Sequence, residues 1–123
     1  MKKIAQFRPK KSSGTSVFKK KNPYNNINWI EFRNLFLRHN PKCYACGTRA
    51  TVVDHYVAHK GNQELFWKPD NFIPLCKYCH DYCTGSFDQF VVPKTKEKLD
   101  WLQSQRIKNE LNFKVKVISP KIE

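Results

Sequence analysis

The chain has 123 residues, with 23 Lys and Arg against 10 Asp and Glu and a formal charge of +13. Its length is that of one domain, and no uninterrupted apolar run approaches the roughly 20 residues that span a bilayer, which argues against a transmembrane protein. The start, MKKIAQFRPKK, is basic without an apolar stretch, so no secretory signal is expected, and the five cysteines should meet a reducing cytosol, where thiols serve metals or catalysis more often than disulfides.

The charge is unevenly spread. Residues 1–21 hold eight basic groups and no acid, +8; residues 94–123 hold eight basic and four acidic groups, +4; the middle is close to neutral at +1. Such flanks attract phosphates without reading sequence, or serve as solubilising tails.

Residues 1–22, rich in Lys, Ser, Gly and Thr, cannot bury enough apolar surface to offset chain entropy and are expected to be a disordered basic tail. Asn28 to His39 predicts a helix, with Asn28 as N-cap, Glu31 three positions on, and Trp29, Phe32, Phe36 and Leu37 at helical spacing until Asn40-Pro41 stops it. Ala50 to Val53 and Phe72 to Leu75 predict two strands separated by a polar loop with Gly61, Asn62 and Pro69. A short helix should run from Lys77 towards Gly85. A second, charged helix is expected over Thr95 to Leu111, carrying Leu99, Leu102, Ile107 and Leu111, before Phe113, Val115 and Val117 alternate with lysines as a last strand.

Cys43-Tyr-Ala-Cys46 and Cys76-Lys-Tyr-Cys79 are two Cys-x-x-Cys knuckles, and Gly47 directly after the first suits a tight turn. Four thiolates in two such pairs close a tetrahedral shell, the pattern of a structural zinc site with no open position for catalysis. Cys83, four residues after Cys79 on the same helix face, is either a rival ligand or, as favoured here, a buried small apolar group.

Between the knuckles lies material that a plain zinc ribbon does not need. Asp54-His55 ends the first strand, Asn71 precedes the second, and His80 follows Cys79 but must point about 100° away from it. Together they supply a carboxylate, an imidazole titrating near neutrality, an amide and an imidazole ligand. Hydrolysis of a phosphodiester with one divalent ion needs that set: a carboxylate and an imidazole to hold the ion, and a neutral histidine to take a proton from water. Adjacent strand residues point to opposite faces, so Asp54 and His55 can serve one site only if the strand ends or twists there, and that irregularity is expected.

Ala50-Thr-Val-Val-Asp54-His55, Lys60-Gly61, Leu65-Phe66-Trp67, Asp70-Asn71 and Leu75-Cys76-Lys77-Tyr78-Cys79-His80-Asp81 resemble the HNH endonucleases, in particular the small zinc-containing members of bacteriophages and mobile elements. The resemblance covers about Trp29 to Thr84. It implies an α+β chain with a ββα-metal core over residues 23–93 and flanking helices; the helix and strand read from the residues of 94–123 are expected to dock on the core or on DNA. By the same resemblance His55 is the general base, Asp54 and His80 hold a catalytic magnesium or manganese ion, Asn71 orients His55 or joins the metal shell, and Cys43, Cys46, Cys76 and Cys79 hold structural zinc. The family often has proline where Ala58 stands and a basic residue near Cys83. His59 is either a phosphate contact or a surface group, His39 is structural or exposed, and Phe66 and Trp67 are read as core aromatics.

The function this implies is metal-dependent DNA cleavage in the cytoplasm, that of the host if the chain is phage-encoded. DNA is the expected partner, and a phage terminase or another packaging protein is a further one. The alternatives are a non-catalytic zinc-knuckle module that binds DNA or RNA, and an accessory protein of phage DNA packaging. No repeated reading helix is visible, so base readout is not argued.

Overall fold

A computed structural model describes residues 27–120; the basic tail read at 1–22 lies outside them. The architecture is α+β: helix α1 (Ile27–His39), strand β1 (Val52–His55), helix α2 (Gln63–Trp67), strand β2 (Phe72–Leu75), helix α3 (Lys77–Cys83) and helix α4 (Thr95–Lys108). A 3-10 turn over Pro69–Asn71 leads into β2, and a π-helical turn over Thr84–Asp88 extends α3. Among the described residues no helix is long and apolar enough to cross a membrane.

β1 and β2 form a two-stranded antiparallel sheet in which Val53 faces Pro74, Asp54 faces Ile73 and His55 faces Phe72. Such a ribbon has too little surface to be stable alone, so both faces must be covered. α1 covers one. Its residues Trp29, Phe32 and Phe36, one stripe of a 3.6-residue helix, pack with Val53, Phe66 and Phe72 into an aromatic cluster. α3 and α4 cover the other face, where Ile73 and Leu75 meet Cys43, Ala45, Cys79, Cys83 and Leu102. The period of two along β2 thus divides the core between two clusters.

Several boundaries differ from those expected. α1 begins by Ile27, so Asn28 lies inside it and is not its cap. The helix ends where Asn40 turns its backbone and side-chain N–H groups onto the Phe36 carbonyl, at 2.8 and 3.1 Å. β1 covers Val52–His55, not Ala50–Val53, because four-residue β2 fixes the register and the N–H of Ala50 goes instead to Pro41 O at 2.8 Å. The loop after β1 contains the unforeseen α2, capped by Asn62, whose Oδ1 accepts from the N–H of Leu65 at 3.1 Å.

α4 ends at Lys108, short of Leu111, and its buried face is not the apolar one expected. Leu102 is buried, but Lys98 and Arg106 are buried beside it, while Leu99 and Ile107 are exposed. Polar partners recruit the two cations. The Arg106 guanidinium lies between the rings of Tyr44 and Phe113, 4.1 and 4.8 Å from their centroids, and donates to Tyr44 O and Phe113 O. The strand expected over Phe113 to Val117 does not form: residues 111–120 are irregular, and Lys116 bonds through its N–H and C=O to the Asn40 amide at 2.8 and 3.1 Å. A side chain has taken the backbone groups a ladder would need. Val115 and Ile118 pack against the core.

Candidate metal centre and adjoining cavity

The first knuckle is a tight turn. Cys43 N–H bonds Thr48 O at 2.6 Å, Gly47 N–H returns to Cys43 O at 2.9 Å, and Gly47 takes φ = 79°, a left-handed backbone that a side chain would strain. A Cβ at Gly47 would also lie 3.0 Å from Leu111 Cδ2, so that side chain would have to give way. The second knuckle caps α3 through Cys76. Tyr44 N–H on Pro74 O at 2.8 Å ties the first knuckle to β2, which leads straight into the second.

The four sulfurs of Cys43, Cys46, Cys76 and Cys79 lie within 4.8 Å of one another. Cys46 and Cys76 Sγ are 3.7 Å apart, close to the roughly 3.8 Å edge of a tetrahedron with 2.3 Å zinc–sulfur bonds. Burial pushes the Cys43 and Cys79 thiols up, with neighbouring cysteines adding to the rise at Cys79. Burial acts the same way on Cys76, but the N–H and thiol of Cys79 and the side chains of Thr48 and Cys46 outweigh it and bring Cys76 down to about 7. Four thiolates this close need a cation to ionise together, so the cluster suits a metal ion such as zinc. Cys83 stands apart from the four. It is fully buried in the core, where burial pushes its thiol up to about 12.

Beside this cluster a cavity of about 230 Å³ opens at the end of the hairpin, lined by Asp54, His55, His59, His80, Thr84 and Asp88 among others. Asp54, His55 and His80 therefore share one space, although they come from β1 and α3. Of the two irregularities expected at Asp54-His55, an end or a twist of the strand, the structure has the end: β1 is regular as far as His55 and stops there, and the two side chains leave on opposite faces. Both reach the cavity because the strand stops there.

His55 belongs to the aromatic side. Its ring lies 6.1 Å from that of Trp29, nearly parallel at 16°, and 5.1 Å from Phe66. Nε2 sits 3.0 Å from Phe66 O. A carbonyl only accepts, so Nε2 carries the proton and Nδ1 keeps its lone pair for the cavity. Burial lowers the His55 pKa to about 4, against the opposing pull of the Phe66 carbonyl and Asp54, so the ring is neutral at pH 7.

Asp54 belongs to the other side. Its Oδ1 accepts from the His55 N–H at 2.8 Å and its Oδ2 from Lys98 Nζ at 3.3 Å. Lys98, with no exposed surface, also bonds the His55 carbonyl and Asp88 Oδ2, the latter at 2.9 Å. One ammonium thus joins the end of β1 to the π-helical turn. Sequence reasoning missed both Lys98 and Asp88. The available signal was helical spacing: Lys98, Leu102 and Arg106 recur every four residues on one face of α4.

Asn71 is buried but not in this cavity. Its Oδ1 accepts from Val57 N–H at 2.9 Å, and its Nδ2 donates to Val57 O and Leu65 O, both at 3.0 Å. The amide is spent on the loop that presents Phe66 O to His55. His80 Nδ1 lies 3.3 Å from Asp81 Oδ1. His59 accepts from Gly61 N–H at 3.0 Å, 5.1 Å ring to ring from His55. His39 is exposed, Phe66 is fully buried, and Trp67 packs partly buried against the aromatic cluster. Neither a protein-family model nor a curated protein matches the chain.

Proposed function

We propose that the chain is a metal-dependent DNA endonuclease of the HNH kind, its β1-β2-α3 unit serving as a ββα-metal core beside a structural zinc site. The observation that carries this reading is the shared cavity, which gathers a neutral, oriented histidine, a carboxylate and a second imidazole within a strongly basic chain.

The donor set fits a divalent ion. Asp54 offers the remaining lone pairs of a carboxylate and His80 an imidazole, leaving positions open for water and phosphate, as magnesium or manganese prefers. Bound there, such an ion would supply Lewis-acid stabilisation of the charge that grows on the scissile phosphate. Lys98 and the His55 N–H hold the Asp54 carboxylate in place. The Nδ1 lone pair of His55 removes a proton from the water whose oxygen attacks phosphorus. The bond from phosphorus to the departing sugar oxygen breaks, and that oxygen leaves with the electron pair and is protonated by solvent. Asn71 is a positioning residue in this scheme: by tying Val57 to Leu65 it fixes the loop whose Phe66 carbonyl sets the His55 tautomer.

The test is a supercoiled-plasmid assay with the zinc-loaded chain. Wild type should nick or linearise DNA only with added magnesium or manganese, and His55→Ala should lose about 10²- to 10⁴-fold in rate while keeping its zinc and its circular dichroism. Two proteins that shift DNA equally and cut it under no metal would leave a zinc-knuckle binding module in place of the nuclease. Activity that returns only with a packaging protein would place the chain in that assembly.

A further inference from the structure

A second cavity, of about 580 Å³, lies between α1 and the open edge of β1, and its lining includes Trp29, Arg33, Thr51, Asp54, His80 and Thr84. Asp54, His80 and Thr84 also line the smaller cavity. The two spaces therefore meet at the same three side chains, and the larger one runs from them to Arg33.

Arg33 has no carboxylate partner among the described residues, and its hydrogen bond is a long one, 3.3 Å from Nη2 to Oδ1 of neighbouring Asn34. Its Nε is shut off from solvent without any acceptor. Nε is thus closed to a ligand, but the two Nη groups carry four N–H donors of which one is engaged, at long range, so the guanidinium brings an unneutralised charge and spare donors to the cavity it lines, the chemistry that meets a phosphate. The walls suit the rest of a nucleotide: Trp29, Ile30 and Val52 give apolar surface for a sugar, and Thr51 and Thr84 are among the polar residues that line it.

We infer that this groove is the seat of the nucleic-acid strand beside the cleavage point, with Arg33 gripping a backbone phosphodiester next to the one at Asp54 and His80. The inference rests on the nuclease reading for the strand's identity, but the Arg33 phosphate site stands on its own geometry. Arg33 lies within the span that resembles HNH nucleases yet outside the motifs that carry the resemblance.

The experiment is a salt titration of binding. Zinc-loaded full chain, without added divalent ion so that nothing is cut, is titrated onto a labelled duplex by fluorescence anisotropy at a series of salt concentrations, for wild type, Arg33→Ala, Arg33→Gln and Arg33→Lys. Each phosphate neutralised contributes about 0.9 to the slope of log K against log salt. Arg33→Ala and Arg33→Gln should flatten that slope by about 0.9 and weaken low-salt binding roughly tenfold, while Arg33→Lys keeps the slope and recovers part of the affinity. Either neutral variant suffices if the other fails to fold. Neutral variants with wild-type slope and affinity overturn the inference. Cleavage by wild type is scored separately. Cutting with an unchanged slope leaves the nuclease reading and removes the groove; a flattened slope without cutting leaves the phosphate site and removes the nuclease.

Discussion

On the α1 side of the hairpin, Trp29, Phe32, Phe36, Phe66 and Phe72 bury large rings against one another, with Phe32 and Phe72 centroids 4.6 Å apart. On the α4 side the buried groups are mostly small, Cys43, Ala45, Cys79 and Cys83 with Ile73, Leu75 and Leu102, and a lysine and an arginine lie among them. The first region holds itself together by apolar area. The second encloses thiols and carboxylates, groups that call for cations: the four cysteines lie close enough to hold a metal ion, and Lys98 sits between Asp54 and Asp88. The cavity lies on the seam. It takes His55, desolvated and neutral, from the aromatic side, and Asp54 and His80 from the polar one. General-base and metal-binding chemistry want those opposite environments.

The comparison breaks most readily at the metal centre. Structural zinc in small domains contributes about 10–16 kcal/mol of apparent folding energy, so chelation or Cys43→Ser should unfold the α4 side and lower the melting temperature by tens of degrees. Calorimetry with zinc release followed in parallel checks this. A Cys43→Ser chain that melts like wild type would mean that the second region is held as the first is. On the aromatic side, Phe72→Ala should cost about 3–5 kcal/mol by urea denaturation yet leave zinc stoichiometry unchanged. Loss of zinc along with stability would show that the two regions are not separable.

Lys98→Met sharpens the contrast further. It keeps the volume of the side chain and removes the ammonium, leaving Asp54 and Asp88 to share a buried space without a counter-ion, a loss of about 3–5 kcal/mol. Asp88→Asn in the same chain should restore part of it. A double mutant no more stable than Lys98→Met would assign the role of Lys98 to its packing alone.

What the chain reveals in one dimension follows the same division. The knuckles were legible because Cys-x-x-Cys pairs carry their geometry in their spacing, and the aromatic face of α1 because three rings recur at a helical period. Asp54, His55 and His80 were singled out as residue types, and the structure brings them to one cavity. Asn71 was singled out too, but nothing in its position revealed that its amide is spent on Val57 and Leu65. The α4 face was misread because apolarity is the usual mark of burial, and Lys98 and Arg106 are buried by partners 44 and 62 residues away. The alternation at Phe113 to Val117 looked like a strand for a related reason: side-chain alternation says nothing about whether a partner strand is within reach, and Asn40 took the backbone of Lys116 first.

The smallest effect concerns His55 itself and tests whether the aromatic side dehydrates it. An unfolded histidine titrates near 6.5, whereas burial holds the folded ring at about 4. Between those values the unfolded chain binds a proton that the folded chain refuses, so protons favour unfolding. The contribution of the neutral ring is therefore present in full above pH 6.5, falls as the pH drops through 6 and 5, and levels off below 4, a change of at most about 3 kcal/mol. Acid also strips metal from thiolates, but that loss is common to wild type and His55→Ala. The difference between their unfolding free energies isolates the histidine. Measured by urea denaturation from pH 7.5 down to 4.5, the stability of wild type relative to His55→Ala should decline steadily as the pH falls. A difference that does not change with pH would mean that His55 titrates alike folded and unfolded. The aromatic cluster would then leave the ring hydrated, and the contrast between the two sides of the seam would fail at the residue on which the proposed proton transfer depends.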